Sequence, residues 1–413
     1  MSSRLRRPAL PLDIVHAVLA LLKLPQNLHT LNACSQVCDD WLPVARKYLF
    51  AHLTTRSRVD DTDNPPEDWE VFHDHFFKPT HSNPAVVTHL VVVGSLTQNL
   101  DFGRLAPMLG SFPKLKHLCI QSWSIMGLEK PLQPILPSLS LEVLELRDLI
   151  CYTGSTEAGH GDIAPQRLLN LLYHVPHAEE VVFSNVPVVY NIHPNAAPHL
   201  THLDIPTGFA PSSVHLSSGR LDNHFKMHLL QHLQSTPHTL RSLHVAFDEF
   251  TNVLPPIALL IKTARSLEVL ELDFSGLDKW AAYEYSLHNL LASDAAACHL
   301  SPVLQSNTSL RTFMLIVPRA PSKYWAVCLR VLSELPAKVR CVELHVDFDS
   351  AMDLPLKKLS RRLAAVEVAK IVLKGCPLGS AEEKKRVAWS EYLHSGLSTL
   401  ATEGALQVQF LNM

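Results

Sequence analysis

Glycine is scarce in this chain, 14 among 413 residues. Neither G-x-x-x-x-G-K-[ST] nor G-x-G-x-x-G occurs, which removes the common glycine-rich phosphate cradles. Charge is thin as well: Asp, Glu, Lys and Arg make up 18% of the residues, against roughly 25% in ordinary soluble domains. With a net charge of -3 there is no broad cationic field of the kind that non-specific nucleic-acid binding needs, so nucleic acid is not an expected partner. Eight cysteines are too few for a disulfide scaffold and none stands in a C-x-x-C pair, so reduced thiols in a cytoplasmic or nuclear protein are expected. No apolar run approaches the roughly 18 residues of a membrane span, and no membrane association is expected. Arg4, Arg6 and Arg7 ahead of an apolar stretch imitate a signal peptide, but Pro11, Asp13 and His16 interrupt it.

Signatures of bond chemistry are missing too. Histidine is abundant, 24 residues, yet His73-Asp-His75, His160-Gly-Asp162 and the i, i+4 pair His228 and His232 complete no known metal arrangement. No G-x-S-x-G elbow is present. Catalytic residues, cofactors and metals are therefore all expected to be none, and the chain is read as a non-enzyme.

What is plentiful is leucine: 69 residues, about one in six. In the first fifty residues Leu12, Val15, Leu19 and Leu22 recur at helical spacing, widened by Ile14, Val18 and Leu21, a stripe expected to be covered on both sides. Asp13 after Pro11 suits a helix start. A second helix is expected over Leu28 to Cys38 and a third after Trp41-Leu42-Pro43 toward Phe50. Cys34 and Cys38, at i, i+4, read as buried free thiols.

The order Leu10-Pro11-Leu12-Asp13-Ile14-Val15, the ladder to Leu22, Thr30-Leu31, Cys34-Ser35-Gln36-Val37-Cys38, Trp41-Leu42-Pro43 and Leu49-Phe50 resembles the F-box, in the variant abundant in mushroom-forming fungi. The resemblance covers about forty residues. It implies docking on the Skp-type adaptor of a cullin-RING ubiquitin ligase, with Leu10, Pro11, Ile14, Val37 and Trp41 at or near that interface. Many members of the family carry a basic residue before the Trp; here Asp39-Asp40 stands instead.

After an acidic, proline-bearing stretch from Asp60 to Asp68 and a helix expected at Trp69 to Phe77, one pattern recurs: apolar, two variable, apolar, one variable, apolar. It runs from Val87-Thr-His-Leu90-Val-Val92 through Leu141-Glu-Val-Leu144-Glu-Leu146, Leu200-Thr-His-Leu203-Asp-Ile205 and Leu267-Glu-Val-Leu270-Glu-Leu272 to Val368-Ala-Lys-Ile371-Val-Leu373, ten copies in all. Five of the nine intervals between copies fall at 26 to 29 residues, the length of a strand plus a helix. The pattern resembles the longer leucine-rich repeats, without the usual Asn or Cys. Helical spacing over Gln166 to His174, His224 to Gln234, Pro256 to Ala264, Tyr324 to Leu335 and Leu356 to Val366 supplies the companion helices.

The expected fold class is therefore α/β: a short all-helical F-box-like module (1–53), an acidic linker (54–68), and a leucine-rich-repeat solenoid, or horseshoe, with a curved parallel sheet and outer helices (69–413). A cap from about 380 to 413 is expected to close it, with a helix from Ser380 to His394 and a last strand over Ala405 to Phe410.

The variable position between the last two apolar residues points out of such a sheet: Val91, Cys119, Glu145, Val182, Asp204, His244, Glu271, Met314, Glu343 and Val372. Acids in that row never fall on adjacent strands, as like-charge repulsion requires. Glu145, Asp204, His244, Glu271 and Glu343 are the candidates for holding a target protein rich in Lys or Arg beside apolar groups. Insertions are expected at Cys151 to Asp162, Thr207 to Asn223 and Ser275 to Asn307, the last carrying Trp280, Tyr283 and Tyr285. The expected role is a target receptor for ubiquitination; the alternative is a free-standing leucine-rich-repeat binding scaffold with no ligase role.

Overall fold

The structure, a computed structural model, describes residues 11–22, 27–56, 84–97, 99–100, 105, 108–125, 139–152, 164–175, 177–189, 205, 209–217, 223–235, 239–247, 254–276, 304–317, 325–348, 354–364, 366–376, 380–402 and 404–412. The helix expected at Trp69 to Phe77, the pairs His73/His75 and His160/Asp162, and Trp280, Tyr283 and Tyr285 lie outside these residues, as does Leu10.

Three helices come first: α1 (Leu12–Ala20), α2 (Leu28–Cys34) and α3 (Trp41–Leu49). Pro11 opens α1, its carbonyl accepting from the Ile14 and Val15 amides at 3.0 and 3.2 Å; a proline there costs no helix hydrogen bond. Val15, Leu19, Leu31, Val44 and Ala45 form a small core, with Leu22, Cys34, Trp41, Tyr48 and Leu49 packed against it. The Tyr48 hydroxyl donates to the His16 carbonyl at 3.2 Å and ties α3 to α1. The apolar stripe of α1 is covered on one side only, contrary to expectation: Leu12, Ile14, Val18 and Leu21 remain exposed.

A twelve-stranded, wholly parallel sheet follows. Its strands, in spatial order, are β1 (His52–Arg56), β2 (His89–Val93), β3 (His117–Gln121), β5 (Ser140–Arg147), β7 (His177–Ser184), β9 (Ser213–Leu216), β10 (Ser242–Ala246), β11 (Val269–Asp273), β12 (Thr312–Ile316), β13 (Cys341–Asp347), β14 (Val368–Cys376) and β15 (Leu406–Asn412). Strands β4 (Ser124–Ile125), β6 (Ile150–Tyr152) and β8 (Val188–Val189) form a second, three-stranded parallel sheet. Among the companion helices are α4 (Ala164–His174), α5 (Asn223–Ser235), α6 (Leu254–Thr263), α7 (Trp325–Ser333), α8 (Leu356–Leu363), α9 (Ser380–Gly396) and α10 (Ser398–Thr402). All but α10 lie where the spacing places them, because each buries one apolar stripe, such as Leu229, Leu230 and Leu233 on α5, into a core continuous from Val87 to Leu406. Among the described residues no helix is long and apolar enough to cross a membrane.

The sheet corrects the sequence reading in three places. It begins earlier: β1 pairs with β2 at Leu53↔Leu90, so the chain enters the sheet before and within the stretch expected to be linker. The copy Phe50-x-x-Leu53-x-Thr55 escapes notice because Thr55 stands where the others have an apolar residue. Second, the strand between β7 and β10 is Ser213–Leu216, with Val181↔Val214 and Val214↔Leu243 as register partners. The Leu200 to Ile205 copy falls largely outside the described residues, and the expected loop from Thr207 to Asn223 contains a strand. The correction turns intervals of 22 and 40 residues into 33 and 29. Third, Val342 pairs with Ala369 and Glu343 with Lys370, so the copy in β14 is Val366-x-x-Ala369-x-Ile371, two residues earlier; Ala369, fully buried, is too small to stand out as its second apolar residue.

Turns between the two sheets are built alike in three successive units. Ser122, Asp148 and Asn185 directly follow β3, β5 and β7, with φ of 61°, 53° and 51°. This left-handed conformation lets the chain turn from one sheet into the other, and short polar side chains tolerate it best. Asp148 accepts hydrogen bonds from Asn185 at 2.6 Å and Gln121 at 3.3 Å.

Candidate functional site

Alternation along each strand sends one residue set into the core and the other to the open face of the sheet. The register runs Thr54, Val91, Cys119, Glu145, Val182, His215, His244, Glu271, Met314, Glu343, Lys370 and Gln407 across that face. Four sequence candidates, Glu145, His244, Glu271 and Glu343, therefore share one row. Asp204 lies outside the described residues, and His215 occupies the place assigned to it. Val372 sits one step further along β14, opposite His345.

The carboxylates of this row are already engaged within the chain. Glu145, with 16% of its side chain exposed, pairs with Arg147 and lies 3.7 Å from His117 Nε2. The bond from His117, with help from Arg147 and against the opposing push of burial, holds its carboxyl down at about 2. Burial, reinforced by that carboxylate, pushes the neighbouring Cys119 thiol up to about 12, so this cysteine is no nucleophile. His244 Nδ1 lies 2.8 Å from Glu271 Oε1; burial pushes this carboxyl up, but the imidazole bond together with the charges His244, His345 and His215 would carry turns the net shift downward. Glu343 meets His345 and, at 3.1 Å, Lys370 Nζ, and again these bonds overcome burial.

Between the arginine-neutralised end at β5 and the lysine-neutralised end at β14 lies a strip of another kind. Glu180 on β7 is 3.3 Å from His215 Nε2, the His215 and His244 rings stack with centroids 5.5 Å apart, and His244 reaches Glu271. Four side chains from four adjacent strands thus form a carboxylate–imidazole–imidazole–carboxylate array. Burial lowers the His215 pKa against the pull of Glu180, so at neutral pH His215 leaves the negative charge of Glu180 uncompensated. Beside the array, Met314 on β12 adds apolar surface. The acidic, apolar character expected of the face is concentrated here rather than spread along it.

Sequence reasoning missed the histidines. His52, His89 and His117 stand one residue before the second apolar position of three successive copies, and they are register partners across β1, β2 and β3. That recurrence is visible in the sequence once β1 is recognised.

The residues singled out by the F-box resemblance fall on α1, α3 and the turn after α2. Pro11, Ile14 and Val37 are exposed, Ile14 to 47% and Val37 to 60%. Trp41 is different: it opens α3 and packs against the small helical core, half-buried. No protein-family model and no curated protein matches this chain.

Proposed function

We propose that the chain is the substrate-recognition subunit of a Skp–cullin–RING ubiquitin ligase acting in the cytoplasm or nucleus, its N-terminal helices serving as the F-box and its repeat sheet holding the protein to be modified. One observation carries the reading: a helical unit with its own small core leaves Leu12, Ile14, Val18, Leu21 and Val37 exposed at 47% to 78%. A unit this small does not spend five large aliphatic side chains on solvent without a partner surface, and these positions coincide with or adjoin those the F-box resemblance marks. The sheet face supports the second half of the role, its central strip offering the Glu180 carboxylate, with Met314 further along the same face, to a target bearing Lys or Arg. The chain does no bond chemistry in this reading. It raises the effective concentration of a target lysine near a charged ubiquitin carrier.

A free-standing repeat scaffold without a ligase role is the second reading, favoured by Asp39 and Asp40, which are exposed immediately before Trp41. Co-expression with a Skp-type adaptor separates the two. Wild type is expected to co-purify with the adaptor, and an Ile14→Asp, Val37→Asp double variant to lose it while keeping its circular dichroism and melting temperature, since both positions already face water. Trp41→Ala is a poorer probe because it also opens the small core. If wild type captures no adaptor where a control F-box protein does, the ligase role is refuted.

A further inference from the structure

The passage from the small helical core to the repeat core takes a single step: Leu49 packs on the first and Phe50 on the second. Strand β1 follows at once and, among the described residues, pairs with β2 alone, as the first strand of the sheet. On the face of that junction the His52 and His89 rings stack with centroids 3.9 Å apart and planes 8° from parallel, and His117 continues the ladder 5.4 Å from His89. Parallel stacked rings do not converge their nitrogens on one ion, and among the described residues no group of three potential ligands is placed to hold a metal.

From this geometry we infer that the His52–His89–His117 ladder is a proton-sensitive joint: acidification charges adjacent imidazoles, separates β1 from β2, and loosens the helical unit from the repeat sheet. Like charges directly opposite on neighbouring strands are destabilising. The charged groups facing the ladder relieve it only at its far end, where Glu145, paired with Arg147, also lies 3.7 Å from His117 Nε2. At the His52–His89 stack Glu142 is paired with Lys116, and Thr88 Oγ1, 2.9 Å from His89 Nδ1, is neutral. Along the chain the nearest charges before β1 are Arg46 and Lys47, cations in the last turn of α3. Burial, then the charges His52 and His117 would carry, lower the His89 pKa to about 4; burial and His117 also lower that of His52.

The sign follows from linkage. A histidine whose pKa is lower in the docked strand than in the detached one binds more protons when detached, so docking weakens as pH falls below about 6.5. Allowing for the partial exposure of both rings, the docked population should fall about tenfold relative to the detached one between about pH 7 and about pH 5.

The inference does not depend on the ligase role and is tested on the full chain without adaptor. Native-state hydrogen exchange, corrected for intrinsic rates, is measured on amides of β1 and, as a control, of β12, which carries no titratable side chain. Protection in β1 is expected to drop about tenfold over that pH interval while the control strand holds steady. His52→Gln, at the exposed end of the ladder, should reduce the drop, and His89→Gln should abolish most of it if that variant folds. Protection in β1 that is independent of pH in wild type would overturn the joint, and so would a full pH response persisting in His52→Gln.

Discussion

Asn307 offers a sharp test of how neighbouring units are held together. It is 4% exposed and precedes β12. Its amide nitrogen donates to the carbonyls of Ile261 and Ala264 at 3.1 and 3.2 Å, and its amide oxygen accepts from the Ser309 and Leu310 backbone at 3.1 and 3.2 Å. One side chain therefore caps the last turn of α6 and orders the turn into the next strand. Asn307→Ala removes all four bonds; the Ala264 carbonyl keeps the Leu267 amide at 3.1 Å, but the Ile261 carbonyl and the Ser309 and Leu310 amides lose the partner this side chain provides. At a net cost of about 1 kcal/mol per bond, reduced by relaxation at the partly open Ser309, the loss comes to about 3 kcal/mol. That is a large fraction of the stability of an ordinary domain. Urea denaturation followed by circular dichroism measures it, and hydrogen exchange should place the loss in α6 and β12 first. Asn307→Asp should be no better at neutral pH, because a carboxylate would then face the two carbonyls. An Asn307→Ala protein within about 1 kcal/mol of wild type would refute the reasoning, since four well-formed buried bonds would then carry almost no net free energy.

Two further outcomes test the turns and the packing. Ser122→Gly should raise the melting temperature, stabilising by about 1 kcal/mol because a left-handed L-residue gives way to glycine; Asp148→Gly at the same backbone geometry should not, because it also forfeits the bonds from Asn185 and Gln121. Gly94→Ala should destabilise by about 3 kcal/mol and flatten the near-ultraviolet tryptophan signal: its Cβ would overlap the buried Trp123 ring, which cannot step aside without losing its 3.2 Å bond to the Val92 carbonyl.

Most of the architecture can be read from leucine spacing because both elements of each unit have one face that must be buried, and burial imposes a period of two on the strand and about 3.6 on the helix. The reading fails where a residue satisfies the geometry without displaying the period. Thr55 hides β1, and Ala369 hides the register of β14. Leu200, Leu203 and Ile205 match the repeat pattern more fully than Ser213-Val-His-Leu216, which has only two inward residues. The face was legible as a row of positions but not as a set of charges. Whether Glu145 is free or paired depends on Arg147, two residues away on the same strand, and on His117 from the next unit, and such cross-unit pairing appears only when strands are set side by side. On α1 the spacing identified the apolar residues correctly, but it cannot say which of two apolar sides the chain itself covers.

Strands of the large sheet follow one another in space as they do along the chain, and every pair is parallel. Each open-face residue thus belongs to one column of the surface, and each column inside the sheet is bounded by two neighbours. Substituting Met314 or Val182 edits one column and leaves the backbone of the others in place. Loop length is likewise free of register, since intervals as different as 26 and 43 residues deliver their strands to the same alignment. Such a surface can be rewritten column by column, and new partners can be acquired without a new fold.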